Sequence, residues 1–286
     1  MKTKTKKKFI TLGVTVVFLA VFSVVALWRG LTVKAYTETT DKVTSPIRIA
    51  VIADLHSVFY GDKQETLIKA IYKQNPDILF LVGDIADDYN PIDGTKQLLS
   101  VIGTEYPCYY VSGNHEYWSG EVDSIKDMIR SYGVTILEGD TDIIQVGNQK
   151  LRLCGVDDPT GIGENTYFTD NDVSESWQGQ LDACKAELGD NIYSILLSHR
   201  PELTENYKDS GFDLVVAGHA HGGQVRIPLI LNGLLAPNQG WFPKYAGGRY
   251  ELGETTMIVS RGLQKDKIPR IFNPPELVIV NLEPER

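Results

Sequence analysis

The sequence predicts an α/β domain built on two β-sheets and preceded by an apolar N-terminal helix. Three observations point there. Short apolar runs alternate with polar clusters and helical periodicity from Ile47 onward, strand-like runs outnumber helical ones, and a hairpin signal sits near the middle of the chain. Neither an internal repeat nor a long linker divides the 286 residues, a length that suits one large domain.

Residues 9–28 are uncharged and mostly Val, Leu, Phe and Ala. At ~1.5 Å per residue they match the ~30 Å hydrocarbon core of a bilayer. Lys2, Lys4, Lys6, Lys7 and Lys8 precede this run, and Arg29 and Lys34 follow it. The positive-inside bias therefore predicts a single-pass cell-membrane protein with residues 1–8 in the cytoplasm and the rest outside. A cleaved signal peptide is the rival reading. Its apolar region is normally about 7–15 residues long, and the small-residue site Val33-Lys34-Ala35 sits behind two basic groups, which favours an uncleaved anchor. Residues 29–46 read as a tether, leaving 47–286 as the folded domain.

In that domain, residues 47–53 form a buried strand, and Glu65–Gln74 a helix with Leu67, Ile68 and Ile71 on one face. Strands follow at 77–82 and Cys108–Val111, then a helix carrying Val122, Ile125, Ile129 and Tyr132. Runs at 143–146 and 151–154 flank Gly147-Asn148, the hairpin. Further strands are expected at Tyr193–Leu197, Leu214–Ala217, 256–259 and 277–282.

Hydrophobic residues at 42% and charged ones at 23% exclude a disordered or multi-spanning chain. The first 34 residues hold seven of the 28 basic groups and none of the 37 acids, so the remainder is strongly acidic. Such a surface repels phosphate backbones, and nucleic-acid binding is not expected. Cys108, Cys154 and Cys184 match neither a zinc cluster nor a disulfide framework and receive no chemistry.

Five segments place metal-liking side chains directly after predicted strands, where α/β sheets open their ligand crevices. They are Asp54-Leu55-His56, Gly83-Asp84, Gly113-Asn114-His115-Glu116, Ser198-His199 and Gly218-His219-Ala220-His221, and they contain all 5 histidines of the chain. The physical reading is a two-metal centre for phosphate-ester hydrolysis. Two cations ~3.5–4 Å apart deprotonate a bridging water and clamp the phosphoryl oxygens. A nitrogen and oxygen set without thiolate suits Mn, Fe or Zn better than Ca. Gly83, Gly113 and Gly218 allow sharp turns close to the metals.

In these five blocks the sequence resembles the calcineurin-like metallophosphoesterases. The resemblance implies a four-layer α/β/β/α sandwich of two mixed sheets and two divalent metal ions. It implies that Asp54, His56 and His221 bind one metal, that Asn114, His199 and His219 bind the other, and that Asp84 bridges them. His115 would then stabilise the transition state or protonate the leaving oxygen, forming the catalytic set with Asp84 and Asn114, and Glu116 would orient His115. Gly83-Asp84-Ile85-Ala86-Asp87-Asp88-Tyr89 lacks the Arg by which the family's protein phosphatases grip a monoester. Asp87 and Asp88 therefore read as a solvated turn or cap. Ser198-His199-Arg200-Pro201 and Gly218–Gln224 look most like the membrane-associated bacterial branch with diacylglucosamine-nucleotide pyrophosphatases. Arg200 is a substrate-phosphate contact or a partner of surface acids.

The expected function is hydrolysis of a phosphodiester or pyrophosphate bond in a phosphorylated small-molecule or lipid-linked substrate, by a monomeric enzyme. A phosphomonoesterase or extracellular nucleotidase is the alternative, and a silent phosphate-binding domain a remote one, since every ligand position is filled. After the last ligands, Leu229, Ile230, Leu234, Leu235, Trp241 and Phe242 read either as closing the core's edge or as an apolar lip turned to the membrane.

Overall fold

The computed structural model describes residues 2–162, 175–189, 191–265 and 269–285. Helix α1 covers Lys2–Ala26 and leads into β1 (Thr32–Thr40), β2 (Ile47–Ile52), α2 (Glu65–Gln74) and β3 (Ile78–Val82). Next come α3 (Asp93–Glu105), β4 (Cys108–Val111), α4 (Asn114–Trp118), α5 (Val122–Ser131) and β5 (Thr135–Ile136). The second half holds β6 (Thr141–Val146), β7 (Gln149–Gly155), α6 (Glu175–Ala186), β8 (Tyr193–Leu197), α7 (Thr204–Tyr207) and β9 (Leu214–Ala217). It ends with β10 (Leu235–Ala236), β11 (Gly240–Trp241), β12 (Gly248–Leu252), β13 (Thr255–Val259) and β14 (Glu276–Pro284).

Two six-stranded sheets run in the orders β1-β14-β2-β3-β4-β5 and β12-β13-β9-β8-β7-β6. Both are mixed. Strands β2, β3 and β4 are parallel while β14 opposes β2, and β7, β8 and β9 are parallel while β6 and β12 pair antiparallel at the edges. Alternating side chains on each central strand face opposite ways, so every such strand feeds two cores. Ile49, Val51, Phe80 and Val82 meet Leu153, Ile195, Leu197 and Val216 between the sheets. On the outer face of the first sheet, Ile52, Leu79 and Leu81 pack under Leu67, Leu98, Ile102 and Ile129 of α2, α3 and α5. Leu196, Val215 and Met257 do the same on the second sheet beneath Trp177 and Leu181 of α6. Three cores thus separate four layers, α/β/β/α. The hairpin expected at Gly147-Asn148 joins β6 and β7 in register, Val146 opposite Gln149.

One expectation for the N-terminus changes. Within residues 29–46, read as a tether, Thr32–Thr40 is a full edge strand in parallel register with β14. Its polar composition reflects position: an edge strand keeps most side chains in water, and its ladder costs only backbone groups. The apolar segment expected to span a membrane at 9–28 ends its helix at Ala26. Among the described residues, no helix is long and apolar enough to cross a membrane. The side chains from Ile10 to Val25 nevertheless lie exposed on all sides of α1.

The apolar segment after the last ligands does not close the core. Leu229, Ile230, Trp241 and Phe242 are exposed, Leu229 completely at 108%, while Leu234 and Leu235 are half-buried.

Candidate metal centre

Parallel strands at the middle of both sheets deliver the metal-liking residues from their carboxyl ends. Asp54 and His56 follow β2, Asp84 follows β3, Asn114 opens α4 after β4, His199 follows β8, and His219 and His221 follow β9. Five of these seven sit at positive φ: Asp54, His56, Asp84, His219 and His221, at 46–63°. Non-glycine residues there cost about 1–3 kcal/mol each, and such strain gathers where side chains must be aimed. The turns also require glycine. A Cβ on Gly113 would stand 2.2 Å from Asp84 Oδ1, and one on Gly83, at φ 73°, 2.3 Å from His199 Nδ1.

Each carboxylate spends one oxygen on the backbone and keeps the other. Asp54 Oδ1 accepts from His219 N–H at 2.9 Å, and Asp84 Oδ1 from His115 N–H at 2.8 Å. The histidines divide their nitrogens likewise: Nδ1 of His56 bonds Asp87 Oδ1 (2.9 Å), Nδ1 of His199 bonds Val82 O (2.9 Å), and Nε2 of His219 bonds Asn238 Oδ1 (2.9 Å). What remains is a set of buried atoms without a hydrogen-bond partner: Asp54 Oδ2, His56 Nε2, Asp84 Oδ2, Asn114 Oδ1, His199 Nε2, His219 Nδ1 and His221 Nδ1. Six of these residues gather in two groups that share Asp84. One contains Asp54, His56, Asp84 and His221, the other Asp84, His199 and His219. A buried polar atom without a hydrogen bond costs about 1–3 kcal/mol, and only His199 Nε2 and Asp84 Oδ2, 3.1 Å apart, answer each other's charge at close range. The donor set fits divalent cations, which would satisfy all seven atoms.

Burial is the largest influence on these groups, and their neighbours oppose or reinforce it. Burial disfavours the charged form of His199, but Asp84 and Asp54 push it up to about 10. Burial and Arg200 hold His219 well below the usual histidine value, and burial and His56 do so for His221, so both are neutral. Asp54 is pushed up to about 6 by burial, while His199 and His56 hold Asp84 well below its usual value against burial.

His115 belongs to neither of these two groups but forms a third with His56 and Asp87. Its Nδ1 lies 2.6 Å from Asp88 Oδ1 and 3.2 Å from Asp87 Oδ1, and its ring meets His56 edge-on at 4.3 Å. Burial opposes its protonation, yet Asp84, Asp87 and Asp88 push it up to about 10. Asp87 and Asp88 are therefore not a solvated turn: both are half-buried or buried and grip the site histidines. The sequence signal was the third and fourth positions after Asp84, read as a cap because consecutive acids in a turn usually face water.

Two assignments are corrected by their partners. Glu116 does not hold the His115 ring. Its Oε1 accepts from Ile85 and Ala86 N–H (2.7 and 2.9 Å) and its Oε2 from Asp84 and Gly113 N–H (3.0 and 2.8 Å), so it staples the turn bearing Asp84. Arg200 is buried rather than open to substrate. It chelates Asp158 through Nε and Nη2 (2.6 and 2.9 Å) and bonds Thr160 and Asn238, bracing the loops behind His219. Asp158 reaches the site through Arg200, and Asn238 bonds both Arg200 and His219 directly; neither was singled out, because neither carries a local motif.

Glu116→Gln turns an NH2 toward two backbone donors. We expect a loss on the order of 3 kcal/mol in urea unfolding, together with weaker metal binding in titration calorimetry; unchanged values of both would remove Glu116 from this role. A second expectation concerns pH. The folded value of His199 lies above its unfolded one, so in chelator-treated protein its stabilisation is complete below the ordinary histidine value and lost as pH rises through about 10. Asp54, also raised, contributes a loss in the same direction at lower pH. Melting of chelated protein should thus fall from about pH 6 to about pH 10, and added divalent cation, which replaces these protons, should flatten the profile.

The surroundings of this centre are shared with known proteins. A profile of calcineurin-like phosphoesterases matches residues 47–223. An uncharacterized metallophosphoesterase of Campylobacter jejuni is 30% identical over 285 residues, covering 96% of this chain and 69% of its own. One of Aquifex aeolicus is 30% identical over 263 residues, covering 88% and 92%. The phosphodiesterase YaeI of Escherichia coli is 26% identical over 244 residues, covering 83% of each chain. With the two mixed sheets, the clustered Asp and His ligands and this match over most of the domain, the chain belongs to the calcineurin-like phosphoesterase family and is a metal-dependent phosphoric ester hydrolase.

Proposed function

We propose that the protein is a membrane-anchored, dinuclear-metal phosphodiesterase that cleaves a phosphodiester or pyrophosphate bond in a small-molecule or lipid-linked substrate outside the cytoplasm. One observation carries the reading of the site: seven side chains from five loops each leave a buried atom without a hydrogen bond, and six of them form two groups joined at Asp84. Asp54, His56 and His221 would hold one ion, Asn114, His199 and His219 the other, and Asp84 both. Bound there, two divalent cations, of which Mn, Fe and Zn suit the donors, would supply a nucleophile from water and offset phosphoryl charge.

His115 provides the proton. With Nδ1 occupied by Asp87 and Asp88, its Nε2 is the ring nitrogen available to the leaving oxygen, and the paired carboxylates keep the imidazolium charged until transfer. Asp84 Oδ1, bonded to His115 N–H, fixes this residue's backbone relative to the ligands. The substrate preference follows from the arginines. Arg200 spends its donors on Asp158, Thr160 and Asn238, and Arg270 on the carbonyls of Asn273, Gln264 and Arg261. Neither is left to grip the second charge of a monoester, and a diester presents one charge at phosphorus. A relative named a phosphodiesterase agrees with this.

The anchor reading is supported by α1, which has no polar face from Ile10 to Val25 and so gains nothing from water on any side.

Asp84→Asn should lose both metals and turnover, because their mutual repulsion is no longer offset. His115→Ala should keep the metals and lose ~10²–10⁴-fold in rate. Metal analysis with activity on paired aryl diester and monoester substrates decides both; metal loss in the His115 variant, or a monoester preference in the wild type, overturns the respective role. For topology, protease added to intact cells should digest the domain beyond Ala35, whereas protection until lysis would reverse the orientation.

A further inference from the structure

The foot of α1 is fastened to a second site on the domain. Phe272 N–H donates to Ala26 O at 2.7 Å, and the Phe22 ring meets Phe272 edge-on at 5.2 Å. Phe272 also lines a cavity of about 480 Å³ whose other walls are the segment 226–232 and Arg261. Two features of that cavity have no role in the metal centre. Leu229 holds a left-handed backbone, φ 67°, while showing its whole side chain to solvent, and Ile230 beside it is 82% exposed. A strained leucine aimed outward satisfies neither local preference nor burial in the chain itself. At the cavity's wall stand two arginines. Arg261 is neutralised by Glu276, whereas Arg226 donates to Asn232 Oδ1 at 2.7 Å and leaves Nη1 without a hydrogen-bond partner, so it supplies net positive charge in an otherwise acidic domain.

We propose that this face docks the domain on the bilayer, the cavity receiving the phosphate of an anionic glycerophospholipid beside Arg226 while Leu229 and Ile230 enter the acyl-chain boundary. Whatever surrounds the apolar α1 reaches the domain at Ala26, and Phe272 places the cavity at that level. Cation, pocket and exposed apolar pair then match an anionic headgroup above hydrocarbon. The inference rests on the anchor part of the proposed function and not on its phosphoester chemistry. It would fix the height and orientation of the metal loops, since the cavity-lining segment begins five residues after His221.

The test uses the full chain carrying a nitroxide at Leu229→Cys, selective because Cys108, Cys154 and Cys184 are buried. The protein is reconstituted in phosphatidylcholine with and without phosphatidylglycerol, and a Val17→Cys label serves as the anchor control. The label at 229 should relax with oxygen rather than with an aqueous nickel chelate, and its docked share should rise with phosphatidylglycerol. Arg226→Gln should lower that docked-to-undocked ratio about fivefold, what one cation near an anionic surface is worth. Ile230→Asp, at an exposed position, should undock the label with unchanged melting temperature. A label at 229 that stays aqueous in both lipids while Val17 lies in hydrocarbon overturns the docking and spares the anchor. Dipolar broadening between labels names a second copy as the occupant and overturns it equally. An aqueous Val17 label removes the anchor and this inference together.

Discussion

The carboxylate of Asp84 is the constraint on which the rest of the centre depends. It is fully buried, sits in a left-handed turn at φ 51°, and belongs to both ligand groups. A carboxylate in such a place is stable only if its backbone is held and its charge is answered. Glu116 does the first by accepting the turn's N–H groups, and His115 N–H fixes one oxygen, leaving the other for the ligand cluster. His199, 3.1 Å away, does the second. Gly83 and Gly113 are needed because any Cβ there would collide with this arrangement.

The same logic extends outward. Asp54, Asp84, Glu116, Asp158 and Glu202 are all buried, and His199, Arg200 and Arg270 are buried as well. Isolated, each acid would cost several kcal/mol. Interleaved, they form an electrostatic frame in which Arg200 answers Asp158 and Glu202, and His199 answers Asp84. That frame explains why Arg200 and Arg270 spend their donors on loops.

The domain's opposite preoccupation is with apolar surface. Its three cores consume the alternating faces of the central strands, yet Leu229, Ile230, Trp241 and Phe242 are excluded from all of them. These side chains follow the last metal ligands in sequence. The metal-liking histidines and the exposed apolar side chains thus lie on one continuous stretch of chain, paired beside Phe272 at the foot of α1.

The sequence by itself determined the elements whose periodicity is strong: Glu65–Gln74, Cys108–Val111, Tyr193–Leu197 and Leu214–Ala217 have the expected bounds, because buried strands and an amphipathic helix declare themselves locally. It also pointed to the six Asp and His side chains that the fold brings together, since each lies at a strand end and the strands are parallel. Other features depended on partners far along the chain. Thr32–Thr40 is polar enough to read as a tether and becomes a strand only because β14, more than two hundred residues later, offers its edge. Asp87 and Asp88 look like an exposed turn until His56 and His115 arrive above them, and Glu116 faces the backbone of Asp84 rather than its neighbour His115. Tertiary structure decided these, because the meaning of a polar side chain is set by which group stands opposite, and spacing along the chain does not carry that information.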